Sequence, residues 1–186
     1  LTGIHLGKYG IDQGDDRDLK GLLKLIGNEK IPLRIRLSSL EPGEIDEALI
    51  ELMASEEWLC RHLHIPLQSG DDQILDRMNR HYTRADFAEL VSRIHDRIPL
   101  ASIGVDVMAG FPGEDEAAFN QTRKLIEALP LTYLHVFPFS SRPGTVAARL
   151  PDPVPADVIK QRSHILRQLG FQKKQAFYRQ QLGKTL

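Results

Sequence analysis

The sequence predicts a parallel α/β fold. Three observations carry that reading: short apolar runs of strand length recur along the chain, longer stretches of helical period separate them, and the turns after the strand candidates concentrate Gly, Pro and polar residues. With 186 residues, 41% of them hydrophobic, the chain is long enough for one well-buried core and too short for two ordinary domains with a linker. Parallel strands joined by right-handed crossovers leave an open doubly wound sheet or a full or partial barrel, and periodicity does not separate the two.

The first strand candidate, Leu1–Leu6, opens the chain without Met in an apolar stretch, which reads as an excised fragment rather than a frayed natural terminus. A helix over Asp18–Ile26 follows, with Leu19, Leu22, Leu23 and Ile26 on one face. Leu33–Ser38 is the second strand candidate, and Ile45–Ala54 a second amphipathic crossover carrying Ile45, Leu49, Leu52 and Met53. His62–Pro66, Ile103–Ala109 and Tyr133–Phe137 complete the strand set, each short and rich in Ile, Val, Leu or aromatic residues. Between them lie a short helix over Asp71–Met78, a helix opened by Thr83 as its N-cap, and a helix over Glu114–Leu129. The chain divides at about residue 150: a domain over 1–150, then Pro151, Pro153 and Pro155 as a linker into one long helix within 151–186.

Composition narrows the function. Lys plus Arg is 24 and Asp plus Glu 25, so the net charge of -1 carries no global sign of a nucleic-acid partner. Locally the balance differs, because Lys160, Arg162, Arg167, Lys173, Lys174, Arg179 and Lys184 face only Asp157 after Pro155. That helix reads either as a solvated face packed on the domain by Ile159, Ile165, Leu166, Leu169 and Phe177, or as a phosphate-backbone contact. The single cysteine, Cys60, excludes an internal disulfide framework or a cysteine-only metal site. No apolar run approaches the roughly 20 residues of a membrane span, so a soluble, cytoplasmic protein is expected.

The unusual residues sit after strands: Gln68-Ser69-Gly70 after the third, Gly110-Phe111-Pro112-Gly113-Glu114 after the fourth, and Ser140 to Thr145 after the fifth. In parallel α/β folds this edge gathers loops and helix N-termini around ligands, although each Gly or Pro alone reads as a turn residue. Gln68 leaves a strand at its polar end, placed to bond a ribose hydroxyl or to cap a helix. Asp106 stands inside an apolar run and needs a partner, supplied by a neighbouring strand or a ligand diol. Arg80 follows the short helix and could set a planar fork over a carboxylate, or lie free on the surface.

The string His62 to Gly70, then Met78-Asn79-Arg80 with Tyr82-Thr83, then Asp106 to Glu114 and Ser141 to Thr145, resembles the radical S-adenosylmethionine methylthiotransferases. The resemblance spans about residues 1–150. Leu1 to Gly10 and Arg36 to Pro42 are most similar to the branch that thiomethylates threonylcarbamoyladenosine in tRNA, next to the anticodon. It implies a partial TIM-like radical SAM barrel with five of six parallel strands present, S-adenosylmethionine across the strand ends and a 4Fe-4S cluster beside it. It further implies Gln68 and Asp106 at the ribose, Arg80 at the methionine carboxylate, Gly3 and the loop around Glu41 near the methionine end, and Gly110 with Phe111 beside adenine, with Ser69 in the same loop as Gln68. The family's three-cysteine loop has no counterpart here, and neither do its N-terminal and RNA-binding domains, so the cluster cysteines are expected upstream and the chain alone is expected to be inactive. The sulfur donor is not readable. Other readings on the same residues are a ribosomal-protein methylthiotransferase, a coproporphyrinogen dehydrogenase-like enzyme, or a non-catalytic RNA-binding module acting through the basic tail.

Overall fold

The computed structural model describes residues 1–3, 5–13 and 17–184. Three parallel strands, β1 (His62–Gln68), β2 (Ser102–Ala109) and β3 (Tyr133–Pro138), lie side by side in chain order. Helices α1 (Leu19–Asn28), α2 (Glu47–Ser55), α3 (Asp72–Arg77), α4 (Arg84–Arg97), α5 (Glu116–Ala128) and α6 (Ala156–Gln181) surround them.

Acid or hydroxyl caps set the starts of α1 to α5, while α6 follows Pro155 without a side-chain cap. Asp18, Asp46, Asp71 and Asp115 each accept a backbone N–H from the first turn of α1, α2, α3 and α5, and Thr83 forms a reciprocal capping box with Asp86 at α4. The helices therefore begin one or two residues later than their apolar periodicity suggests. The outward side chains of the strands, Leu63, Ile65, Leu67, Ile103, Val105, Val107 and Ala109, are fully buried beneath helical residues such as Leu49, Phe87, Val91, Ile94 and Ile126. The long C-terminal helix joins this same core through Leu166, and Gly170 lets it approach β3, since a Cβ there would lie 3.1 Å from Leu134.

Of the five expected strands, three are regular. The segment Leu33–Ser38 forms only an isolated parallel bridge, Ile35 opposite Leu59. Leu40 then donates to the His64 carbonyl, which places it opposite Ile65, so the pairing slips by one residue and the ladder breaks between the two contacts. At the start of the chain, the Leu1 amino group donates to the Arg36 carbonyl at 2.8 Å and the Leu1 carbonyl accepts from Ser38 N–H at 3.0 Å, the pattern of one parallel pair. The chain winds into a 3-10 turn at Leu6–Lys8, which ends that pairing; Ile4, inside the expected Leu1–Leu6 strand, lies outside the described residues. The five segments thus follow the expected order, with two reduced to single pairs. No helix among the described residues is long and apolar enough to cross a membrane.

Candidate functional site

Period-2 alternation gives the sheet a second, polar face. His62, His64 and Pro66 from β1, Ser102, Gly104, Asp106 and Met108 from β2, and Tyr133, His135 and Phe137 from β3 share it. Register puts Asp106 beside both Pro66 and His135, and Gly104 beside both His64 and Tyr133. Gly104 is required there, because a Cβ would come within 1.9 Å of the Tyr133 ring. With that space open, the Tyr133 hydroxyl lies 2.8 Å from His62 Nε2 and 3.1 Å from His64 Nδ1.

Asp106 finds its partners on both neighbouring strands: His64 Nε2 at 2.9 Å and His135 Nδ1 at 3.3 Å, both on Oδ1. Burial pushes its carboxyl upward, but the bonds and charges of His64 and His135 outweigh it and leave Asp106 below the ordinary carboxylate value. Burial, reinforced by the charge of Arg36 and then by His64, lowers His62 to about 4, so His62 is neutral at pH 7. Tyr133 is raised by burial against the opposing charge of Arg36 and keeps its proton. Beyond His62, one assignment runs from Tyr133 O–H to His64 Nδ1 and from His64 Nε2–H to Asp106; neutral His62 has a single acceptor nitrogen, so it accepts from Arg36 through either Nε or Nη2 and not both. Arg36 Nη2 also lies 2.7 Å from His62 Nε2. Asp106, held below the ordinary carboxylate value, is the acceptor at the end of this path. This face opens into a hollow of about 370 Å³ lined also by Arg36, Ser38 and Ser39. His64, Asp106 and His135 bring one donor atom each within 4.8 Å of one another, a set able to hold a metal, although in the structure these donors are bonded among themselves.

The other expected residues are distributed around the strand ends. A bulge between Pro66 and Gln68 turns Gln68 into a left-handed conformation, φ 62°, and Tyr82 donates to the freed Pro66 carbonyl at 2.7 Å. Arg80 and Glu41 meet, with Arg80 Nη1 at 3.3 and 3.4 Å from the two carboxylate oxygens. Arg80 Nε and Ser38 Oγ are buried without a partner among the described residues. Gln68 and Arg80 are not among the residues that line the hollow beside Asp106.

Ser69 is fully buried; its hydroxyl contacts Thr122 and accepts from Asp71 N–H, so it fastens the loop to α5. Gly110 has φ 81° and packs against α6, where a Cβ would meet Ile159 at 2.3 Å. Phe111 turns into a small apolar cluster with Ile74 and Ala118, edge-on to Phe139 at 5.4 Å. At Gly3 the nearest atoms to an added Cβ are 3.9 Å away, so packing does not demand glycine. Cys60 precedes β1, at the opposite end from Gln68, in a cavity with Arg34, Arg61 and Gln181. One thiol there does not fit an iron–sulfur cluster. Sequence reasoning missed His62, His64, Tyr133 and His135; the signal was their shared parity with Asp106 on successive strands.

A parallel sheet buried on one face, polar on the other and with loops gathered at its C-terminal edge defines a domain of the α/β class. Residues 9–126 match the Radical SAM superfamily. The chain belongs to that superfamily. Over its whole length it is 43% identical to the threonylcarbamoyladenosine tRNA methylthiotransferase MtaB of Aquifex aeolicus, of which it covers 45%. The chain spans less than half the length of such curated relatives. Among solved structures, coproporphyrinogen III oxidase (HemN) from Escherichia coli, a radical SAM enzyme, matches 91% of this chain and 38% of its own at TM-score 0.60 and 20% identity. The radical S-adenosylmethionine methyltransferase TsrM from Kitasatospora setae, with cobalamin and a [4Fe-4S] cluster bound, matches 73% of this chain and 26% of its own at TM-score 0.57 and 22% identity. These two share the fold.

Proposed function

We propose that the chain forms most of the catalytic barrel of a radical S-adenosylmethionine methylthiotransferase acting on a modified adenosine of tRNA, with threonylcarbamoyladenosine as the favoured base. The observation that carries this reading is the 43% identity with a threonylcarbamoyladenosine tRNA methylthiotransferase along the whole chain. The cofactor, when bound, supplies a carbon-centred radical for hydrogen abstraction. The protein's part is orientation. Asp106 and Gln68 receive and donate hydrogen bonds at the ribose hydroxyls, and Arg80, whose Nε is still unpartnered, takes the methionine carboxylate while Glu41 steadies its fork. Gly3, Ser69, Gly110 and Phe111 shape the neighbouring loops, with the last two bounding the adenine side. Asp106 fits the ribose role because His64 and His135 both occupy Oδ1 and keep the carboxylate ionised.

In the full-length, cluster-bearing enzyme, Asp106→Ala is expected to weaken S-adenosylmethionine binding by roughly 1–3 kcal/mol, the scale of a lost charge-assisted hydrogen bond. tRNA affinity should stay the same. Wild-type cofactor affinity by calorimetry would remove Asp106 from the site.

Cluster binding needs thiolates beyond residues 1–186. Anaerobic reconstitution of this chain alone is expected to leave it without stoichiometric iron, since Cys60 is its one thiol. A 4Fe-4S absorption spectrum from the isolated chain would contradict that.

A further inference from the structure

The seven basic residues after Pro155 are not equivalent. Arg162 is buried against Glu114, and Lys173 donates to the Glu127 and Leu129 carbonyls at 2.9 and 2.6 Å, closing the end of α5. Lys160, Arg167, Lys174, Arg179 and Lys184 remain exposed. The inward pair helps Leu166 and Gly170 to anchor α6; the outward five are exposed on its other side.

The exposed residues have an order. Lys160, His164, Arg167, Phe171, Lys174 and Tyr178 follow one another in alternating steps of four and three, so they form a single stripe along α6. Within it, cations recur every seventh residue at Lys160, Arg167 and Lys174, and rings recur every seventh residue at His164, Phe171 and Tyr178. Each such step advances about 10 Å. Phe171 is 64% exposed and Tyr178 50%, and the Lys174 ammonium stands 5.6 Å from the Tyr178 ring centroid. The other exposed helix positions from Gln161 onward are Gln161, Gln168, Gln172, Ala176, Arg179 and Gln180, and the helix's one acid, Asp157, lies in its first turn, three residues before Lys160. A helix seated against a protein partner with this spacing would carry aliphatic residues at alternating three- and four-residue steps. Cations interleaved with exposed rings instead suit a polyanion that presents flat π faces. The C-terminal part of the stripe is continuous with the polar face of the sheet, because Lys174 and Tyr178 line one cavity with His62, Tyr133 and His135.

We propose that the exposed face of α6 is a contact surface for RNA, with Lys160, Arg167 and Lys174 against backbone phosphates and Phe171 and Tyr178 against unstacked bases. It rests on the tRNA substrate proposed above and adds to it a binding surface outside the cofactor pocket. Phosphate contacts supply salt-dependent affinity, and ring stacking adds affinity tolerant of sequence.

The test uses the full-length enzyme and tRNA, titrated at several salt concentrations. The triple variant Lys160→Gln/Arg167→Gln/Lys174→Gln is expected to bind tRNA at least about tenfold more weakly, with the slope of log affinity against log salt reduced by about 2–3. Phe171→Ala/Tyr178→Ala is expected to weaken binding about tenfold with the salt slope unchanged. S-adenosylmethionine affinity, read by calorimetry, should match wild type in both, and Lys160→Arg/Lys174→Arg should retain tRNA affinity. If wild type binds tRNA and the triple variant binds it equally well with the same slope, the α6 surface is wrong while the substrate reading stands. If wild type itself fails to bind tRNA, the substrate reading falls. Loss of thermal stability in the ring variant without loss of tRNA affinity would assign the face to a protein contact and overturn the proposal.

Discussion

Arg162→Ala is expected to cost about 3–5 kcal/mol of folding stability, the scale for removing one partner of a buried ion pair. Arg162 and Glu114 are 6% and 3% exposed. Arg162 Nη1 donates to the Glu114 carbonyl at 2.7 Å and to its Oε1 at 2.9 Å, and the same Oε1 accepts from Gly110 N–H at 2.9 Å. Burial raises Glu114 above the usual carboxylate value in spite of Gly110 and Arg162, so the carboxylate depends on these bonds to stay charged. Urea denaturation measures the cost. The pair variant Glu114→Gln/Arg162→Met should recover most of it, because both charges then leave together. A loss below about 1 kcal/mol for Arg162→Ala would mean that water replaces the guanidinium.

The second large effect is acid sensitivity centred on His62. Its folded value of about 4 lies below the unfolded 6.5, so the unfolded chain takes up the proton first as pH falls. Stability from this group is complete above the unfolded value and is lost progressively from there down through the folded one. The shift corresponds to roughly 3 kcal/mol at full titration. Urea midpoints across that window should fall steeply for wild type and more gently for His62→Gln. Equal slopes in the two proteins would assign the acid sensitivity elsewhere. Asp106 also favours the folded state through its lowered value, but its contribution disappears as pH falls below the ordinary carboxylate value, in the more acidic part of the profile.

What could be read from the sequence follows from the range of the interactions. Helix caps and amphipathic faces are local: the Thr83 cap was read directly, and Asp18, Asp46, Asp71 and Asp115 cap within one residue of the expected helix starts. The strands β1, β2 and β3 were legible because their outer residues are uniformly apolar. Leu33–Ser38 was only half legible, since Ile35 and Leu37 alternate with Arg34, Arg36 and Ser38 as a strand should, while the slip in register near Leu40 leaves no mark in composition. At the site, the need of Asp106 for a partner could be argued from an apolar run. Its partners could not, because they depend on the register of three strands and on the missing side chain of Gly104. Glu114 and Arg162 are 48 residues apart, a distance at which no periodicity operates.

The strands lie in chain order, β1 beside β2 beside β3, and α6 follows all three in the chain. During synthesis each strand can pair with the one just emerged, so no segment waits for a distant partner until the end. The exception is the clip between Glu114 and Arg162, whose second half leaves the ribosome well after β3 is complete. Until then the outer face of β3, including Leu134, stands uncovered, which is the stage at which a nascent chain of this topology is most open to chaperone capture or to aggregation.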